Sequence, residues 1–192
     1  MGALKPLTRS PIASAISDAE ALERVAKGDV GSLGVLYDRH AESVHRFVLR
    51  ATNGAEDVDD LVQNTFLAAA GAAARFDGAL PCRPWLLGIA NKLLSRRYRT
   101  LTRWTRLLTR AASSRTAAHD PAARADARRD IDRALAELSE AKRITFLLSE
   151  VEQLSGDEIA SALAIPIGTV WTRLHAARRE LRALLKMDEV SP

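Results

Sequence analysis

The sequence predicts an all-α protein made of two small helical domains joined by a basic linker. Three observations carry that prediction. Ala, Leu and Arg are abundant while aromatic residues make up only 5% of the chain, a mixture that suits helices better than strands. Apolar side chains recur at three-four spacing in one segment after another. And between residues 109 and 130 (TRAASSRTAAHDPAARADARRD) large apolar side chains almost vanish, which divides the periodic part of the chain in two. With 192 residues, 47% of them hydrophobic, the chain is long enough for one domain or two small ones with buried cores.

Residues 1–16 carry Pro6, Pro11 and small side chains and read as a frayed tail. Ser17-Asp-Ala-Glu20 has the spacing of a capping box and opens a short helix over about 18–27, closed by Gly28. A second helix, about 30–52, aligns Leu33, Leu36, Tyr37, Val44, Phe47 and Val48 and stops at Asn53-Gly54. The third, about 55–75, places Val58, Leu61, Val62, Thr65 and Phe66 on one stripe. Glu56, Asp57, Asp59 and Asp60 sit in its first turn, where the helix dipole favours negative charge. A loop with Asp77-Gly78, Pro81 and Pro84 leads into a fourth helix, about 85–108, with Trp85, Ile89, Leu93 and Leu94 inward. Past the linker, apolar spacing resumes at Ile131, Leu135 and Leu138, and Ile144, Leu147, Leu148 and Val151 mark the next helix. Ser155-Gly-Asp-Glu158 is a second capping box opening a short helix through Ala164. Ile165-Pro-Ile-Gly168 breaks the chain, and Val170, Leu174, Ala177, Leu181, Leu184 and Leu185 run along a long final helix to about 186. The expected domains are 17–108 and 131–187.

Charge is uneven. Residues 18–66 hold ten acids and five bases, and residues 96–130 hold three acids and ten bases, all arginine. Arg173, Arg178, Arg179, Arg182 and Lys186 share the last helix with one acid. Two basic segments fit a polyanion touched at two places, and the acidic segment fits a basic partner; charge alone suits solvated helix faces equally well.

The C-terminal segment has the parts of a helix-turn-helix: a short capped helix, small Ala160 at the crossing, Ile165 in the turn, and anchors Val170 and Leu174. Opposite that stripe stand Trp171, Thr172, His175, Arg178, Arg179 and Arg182. A helix in the major groove reads bases with its N-terminal turns and holds phosphates with its flanks. Trp171, Thr172, Arg173 and His175 are therefore candidate base readers, and Arg178, Arg179 and Arg182 candidate phosphate clamps. In the N-terminal half, the helix surface from Asp57 to Phe66 is acidic and partly apolar, with polar Gln63 and Asn64, and suits docking to a basic helix. Trp85, Asn91, Lys92, Arg96 and Arg97 combine an aromatic with cations, as single-stranded nucleic acid demands, although a lone Trp85 is more commonly core.

Other classes find no support. A glycine-rich phosphate loop, metal-ligand spacing and a Ser/His/Asp set are missing, so no catalytic residue is expected. The single cysteine, Cys82, excludes an internal disulfide framework and a CxxC cluster, and the four histidines are scattered. No metal and no cofactor are expected. No apolar run reaches the roughly 18 residues of a membrane span, and Lys5 and Arg9 are not followed by a signal-peptide core; the expected location is cytoplasmic. A stand-alone helix-turn-helix regulator, dimeric on a palindromic site, would fit the C-terminal half but leaves the 56–99 block without a role.

Taken together, EDVDDLVQNTFLAAA (56–70), RFDGALPCRPWLLGIANKLLSRRYR (75–99) and LSGDEIASALAIPIGTVWTRLHAARREL (154–181) resemble a bacterial RNA polymerase sigma factor of the extracytoplasmic-function (ECF) group of the sigma-70 family. The resemblance implies a dissociable initiation subunit that directs core polymerase to promoters. It implies core-polymerase docking of the segment Asp60 to Ala73 on the clamp-helix coiled coil of the largest subunit, with Asp57, Asp60, Leu61, Gln63, Asn64 and Phe66 as its contacts. It implies recognition and opening of the −10 element, with a flipped base received by loop 76–84 and the strand held by Trp85, Asn91, Lys92, Arg96 and Arg97. It implies −35 binding by the helix-turn-helix, with Trp171, Thr172, His175 and Ala176 facing bases and Arg173, Arg178 and Arg179 beside them. The implied partners are core RNA polymerase, promoter DNA and an anti-sigma factor, commonly membrane-bound, with no stable self-oligomer. Two departures bear on the DNA contact: the family usually has a basic residue where Trp171 stands, and often another at Ala176. A third concerns the turn, where Ala164 replaces a common glycine; a left-handed backbone there would cost an alanine about 1 kcal/mol. Leu138-Ser-Glu stands where the family often has Leu-Pro.

Overall fold

The computed structural model describes residues 16–54, 57–78, 80–108 and 124–188, with side chains described over 16–54, 57–78, 80–98 and 130–185. Most of the expected tail, Glu56 and the linker over 109–123 lie outside the described residues. Among the described residues all regular structure is helical, as expected: α1 Asp18–Ala26, α2 Val30–Ala51, α3 Val58–Ala72, α4 Cys82–Leu108, α5 Arg124–Glu137, α6 Glu140–Phe146, α7 Gly156–Leu163 and α8 Ile167–Asp188. No helix of the described residues is long and apolar enough to cross a membrane.

Helices α1–α4 pack around Leu22, Leu36, Val44, Phe47, Leu86, Leu87 and Leu94, none more than 1% exposed. The starts of α1, α2 and α3 are set by side-chain caps. Ser17 Oγ accepts from the Glu20 amide at 3.2 Å. The reciprocal half of that expected capping box is not made, because the Glu20 carboxylate takes Arg24 Nη2 at 2.7 Å, one turn on. Asp29 caps α2 by accepting from the amides of Gly31 and Ser32 and from the Ser32 hydroxyl. Asp57 caps α3 by accepting from the Asp60 amide. The third helix is shorter than expected; its last turn tightens into a 3₁₀ turn over Ala73–Arg75. The fourth is longer, beginning at Cys82, with Pro84 in its first turn.

The second core gathers Leu135, Leu138, Ile144, Leu147, Leu148, Ile159, Val170, Leu174 and Ala177. Between α6 and α7 the chain runs as a π-turn, Leu147–Val151, which the apolar spacing did not distinguish from ordinary helix. The Ser155 capping box is complete: the Glu158 amide donates to Ser155 Oγ at 3.2 Å, and the Ser155 amide donates to the Glu158 carboxylate at 2.8 Å. α7 ends at Ala164, whose backbone is left-handed with φ 53° and ψ 50°. The sequence reading anticipated that strain, and the alanine bears it.

These two groups of side chains join in one continuous hydrophobic core. α4 lies on α7 so closely at Gly88 that a Cβ there would come within 2.6 Å of the Ala162 carbonyl oxygen. Glycine is what permits this approach. Beside it the Glu152 side chain, with no exposed surface, crosses from the π-turn to α2. Ser43 Oγ donates to its carboxylate at 2.5 Å, and Arg46 donates to both its oxygens at 2.9 Å. Arg83 Nη2 donates to the Glu152 carbonyl at 2.7 Å. Burying a carboxylate is tolerable only with such partners.

Candidate nucleic-acid interface

α8 carries the expected recognition row. Trp171, Thr172, His175, Arg178 and Arg179 are exposed, while Val170, Leu174, Ala177 and Leu181 on its opposite face are buried. Arg173 and Ala176 are half-buried at the edges of the row. The Thr172 hydroxyl donates to the Gly168 carbonyl at 2.8 Å, so its oxygen faces outward as an acceptor. Arg178 pairs with Glu150 on the π-turn at 2.6 Å. This exposed pair is worth little in stability, and a phosphate competes with it. Arg182 turns back to donate to the Arg178 carbonyl.

Trp171, where the resembled family usually has a basic residue, has a packing role as well. It is 54% exposed, yet its ring lies over Gly156, the first residue of α7. A Cβ on Gly156 would stand 2.6 Å from Cζ2. The indole thus ties the two helices of the helix-turn-helix together while leaving its other face free. Nothing in residue spacing pairs positions 156 and 171.

On α3, Asp60, Gln63 and Asn64 are exposed, and Leu67 beside them is 57% exposed. Leu67 lies one turn after Asn64, inside the segment Asp60 to Ala73 that the resemblance assigns to core docking. Leu61 and Phe66, expected on this docking surface, are interior instead, 4% and 3% exposed. The Phe66 ring meets that of Tyr37 at 4.9 Å. They set the angle of the exposed face and do not form it. Asp57 is exposed but committed as the α3 cap.

The basic face of α4 adjoins that surface. Arg97 Nη1 approaches Asp60 Oδ2 at 3.5 Å, which links an expected strand contact with an expected polymerase contact. Lys92 and Arg96 are exposed and Asn91 is half-buried. Trp85 is half-buried edge-on to Phe76, centroids 5.1 Å apart, so it serves as a wall of the 76–81 loop more than as an open platform. A groove of about 670 Å³ separates this loop, at Phe76 and Asp77, from α1 at Glu20 and Lys27.

A second groove, of about 310 Å³, lies between the halves of the molecule. Asn91 and Ser95 of α4 line one side, and Arg173 of α8, with Glu140 and Ile165, lines the other. Ser95 Oγ donates to Glu140 at 3.0 Å across it. Residues expected to serve two distant promoter elements thus face each other over one cleft.

Cys82 is buried in the first turn of α4. Burial, with a smaller contribution from the Asp18 charge, pushes its thiol up to about 12, so it is a poor free nucleophile.

The chain matches the family model "Sigma-70 region 2" over residues 36–105 and "Sigma-70, region 4" over residues 128–181. It is 33% identical over 167 residues to the ECF RNA polymerase sigma factor SigL of Mycobacterium tuberculosis, covering 84% of this chain and 93% of that protein. It is 29% identical over 180 residues to SigC of the same species, covering 91% and 97%. Among solved structures it resembles CnrH in complex with the cytosolic domain of CnrY, with TM-score 0.69, 28% identity and coverage of 90% and 99%. It shares the fold of the sigma factor RpoE from Bartonella quintana, crystallised with the anti-sigma factor NepR, at TM-score 0.66 and 24% identity over 77% and 92% of the chains. The chain belongs to the ECF sigma factors of the sigma-70 family, the RNA polymerase subunits that direct transcription to promoters.

Proposed function

We propose that the work of this sigma factor is divided between its halves. Residues 17–108 bind core polymerase and the −10 element, and residues 131–187 bind the −35 element. Core polymerase takes the α3 face of Asp60, Gln63, Asn64 and Leu67. Asn91, Lys92, Arg96 and Arg97 hold the opened −10 strand beside loop 76–81. Thr172 and His175 read −35 bases, Trp171 and Arg173 flank them, and Arg178 and Arg179 hold phosphates. The protein catalyses no reaction itself and works in the cytoplasm, where its polymerase is.

The observation that carries this reading is the exposed row on α8, presented by a complete capping box and backed by a buried stripe. The shared cleft adds a step. The −10 and −35 elements are about 85 Å apart along a duplex at ~3.4 Å per base pair. Two surfaces that face each other over a 310 Å³ groove do not reach both elements at once. The halves therefore part when polymerase and promoter are engaged, each contact raising the effective concentration of the other. The solved complex of the similar CnrH with the cytosolic domain of CnrY supports a further protein partner here, which we take to be an anti-sigma protein.

The test is promoter footprinting with core polymerase and full-length protein. Protection of both elements is expected, and His175→Ala with Arg179→Ala should erase only the upstream part. Specific protection of one palindromic site without polymerase would favour a stand-alone regulator instead.

A further inference from the structure

Helices α1, α2 and α4 bring three metal-ligating side chains to one place. A carboxylate oxygen of Asp18, a ring nitrogen of His40 and the sulfur of Cys82 all lie within 4.8 Å of one another. The tightest pair is Asp18 Oδ2 with His40 Nε2, at 2.7 Å. A four-coordinate zinc site, with bonds of about 2.0–2.3 Å, sets its ligand atoms roughly 3.2–3.7 Å apart. Shifts of about 1 Å or less convert the observed arrangement into that one. We propose that Asp18, His40 and Cys82 form a three-ligand site for a zinc-type divalent ion, with water as the fourth ligand.

The surroundings suit an ion. Cys82 is buried, the His40 side chain is 12% exposed and that of Asp18 29%, so the site is sheltered, with Asp18 its most exposed member. Sulfur, imidazole and carboxylate together select a borderline ion over calcium or magnesium. Arg39 Nη1 donates to the other oxygen, Asp18 Oδ1, at 2.7 Å, while Arg39 Nη2 holds the Ile16 carbonyl at 2.6 Å. Arg39 leaves Oδ2 to the metal and fixes the plane of the carboxylate, the positioning role that an outer partner plays at metal sites. On binding, the Cys82 S–H proton passes to solvent as the sulfur–metal bond forms. The His40 ring proton moves to Nδ1, so that Nε2 exchanges its bond to Asp18 for the ion. No redox change occurs. The loaded ion clamps α1 to the first turn of α4, at the foot of loop 76–81.

The chain has a single cysteine, which makes the test unambiguous. Full-length protein stripped with chelator is titrated with Co²⁺, then with Zn²⁺. A thiolate-to-cobalt charge-transfer band saturating at one ion per chain, bleached by Zn²⁺, is expected, together with a raised melting temperature. Cys82→Ala should lose the band, and His40→Ala should weaken binding about tenfold or more. Absence of the band in the unmodified protein overturns the proposal, whatever the variants do. So does Zn²⁺ bound equally tightly by a folded Cys82→Ala variant. Promoter footprinting is independent of either result.

Discussion

Glu152, in the C-terminal half, is drawn wholly out of solvent to meet Arg46 of the N-terminal half, whose Nε and Nη2 each donate to its carboxylate at 2.9 Å. Residues 106 positions apart thereby latch the two halves of the chain together. Arg46→Met leaves the buried carboxylate with Ser43 and a longer 3.7 Å approach from Arg83. An under-paired buried carboxylate is costly, and the loss falls where α2 meets the Leu147–Val151 turn. Small-angle X-ray scattering should show a larger radius of gyration with helix content unchanged. An unchanged radius would mean that the pair is not the latch.

Ala164→Gly should stabilise the protein. The left-handed φ of 53° is one that glycine adopts freely, and relief of the alanine strain is worth about 1 kcal/mol. The gain is read from denaturant midpoints at unchanged slope. A destabilised glycine variant would show that the alanine methyl contributes more than its backbone costs.

Gly156→Ala should displace Trp171, since the added Cβ would sit 2.6 Å from the ring, and overpacking of this kind costs about 1–3 kcal/mol. Affinity for −35 DNA should fall with it, because the indole aligns α8 on α7. Trp171→Arg tests the opposite effect. A cation there should steepen the salt dependence of DNA binding by about one unit; an unchanged slope in titrations at several salt concentrations would mean that position 171 faces no phosphate.

Asp60→Arg reverses the charge at the exposed end of α3 and also repels Arg97, 3.5 Å away. Affinity for core polymerase should drop while the thermal transition barely moves, since exposed ion pairs contribute only about 0–1 kcal/mol. Co-purification with core polymerase measures the first effect, calorimetry the second. Equal polymerase affinity would remove α3 from the docking surface.

How much of this was legible in the sequence follows the range of the interactions. Features made by neighbours were readable: the Ser155–Glu158 box, the stop at Asn53-Gly54, the strained Ala164 and the α8 row. The Ser17–Glu20 box failed locally because Arg24, also local, competes for the carboxylate. On α3 an apolar stripe identifies the core face, which is where Leu61 and Phe66 lie, while Leu67 is exposed; which apolar residue leaves the stripe depends on the helices packed against it. Contacts between distant residues left no trace in spacing: Glu152 with Arg46, Gly88 with Ala162, Gly156 with Trp171, and Asp18 with His40 and Cys82. The sequence reading expected no metal site because it looked for ligands close together in the chain. The fold, not the spacing, assembles that cluster.

Whether the halves part on a promoter is read by footprinting with core polymerase and the Arg46→Met protein beside the unaltered one. Protection at both elements is expected from both proteins, reached at a lower concentration by Arg46→Met, whose closed state is weakened. Protection by the unaltered protein at one element alone, or a higher concentration requirement for the variant, would mean that the halves do not part.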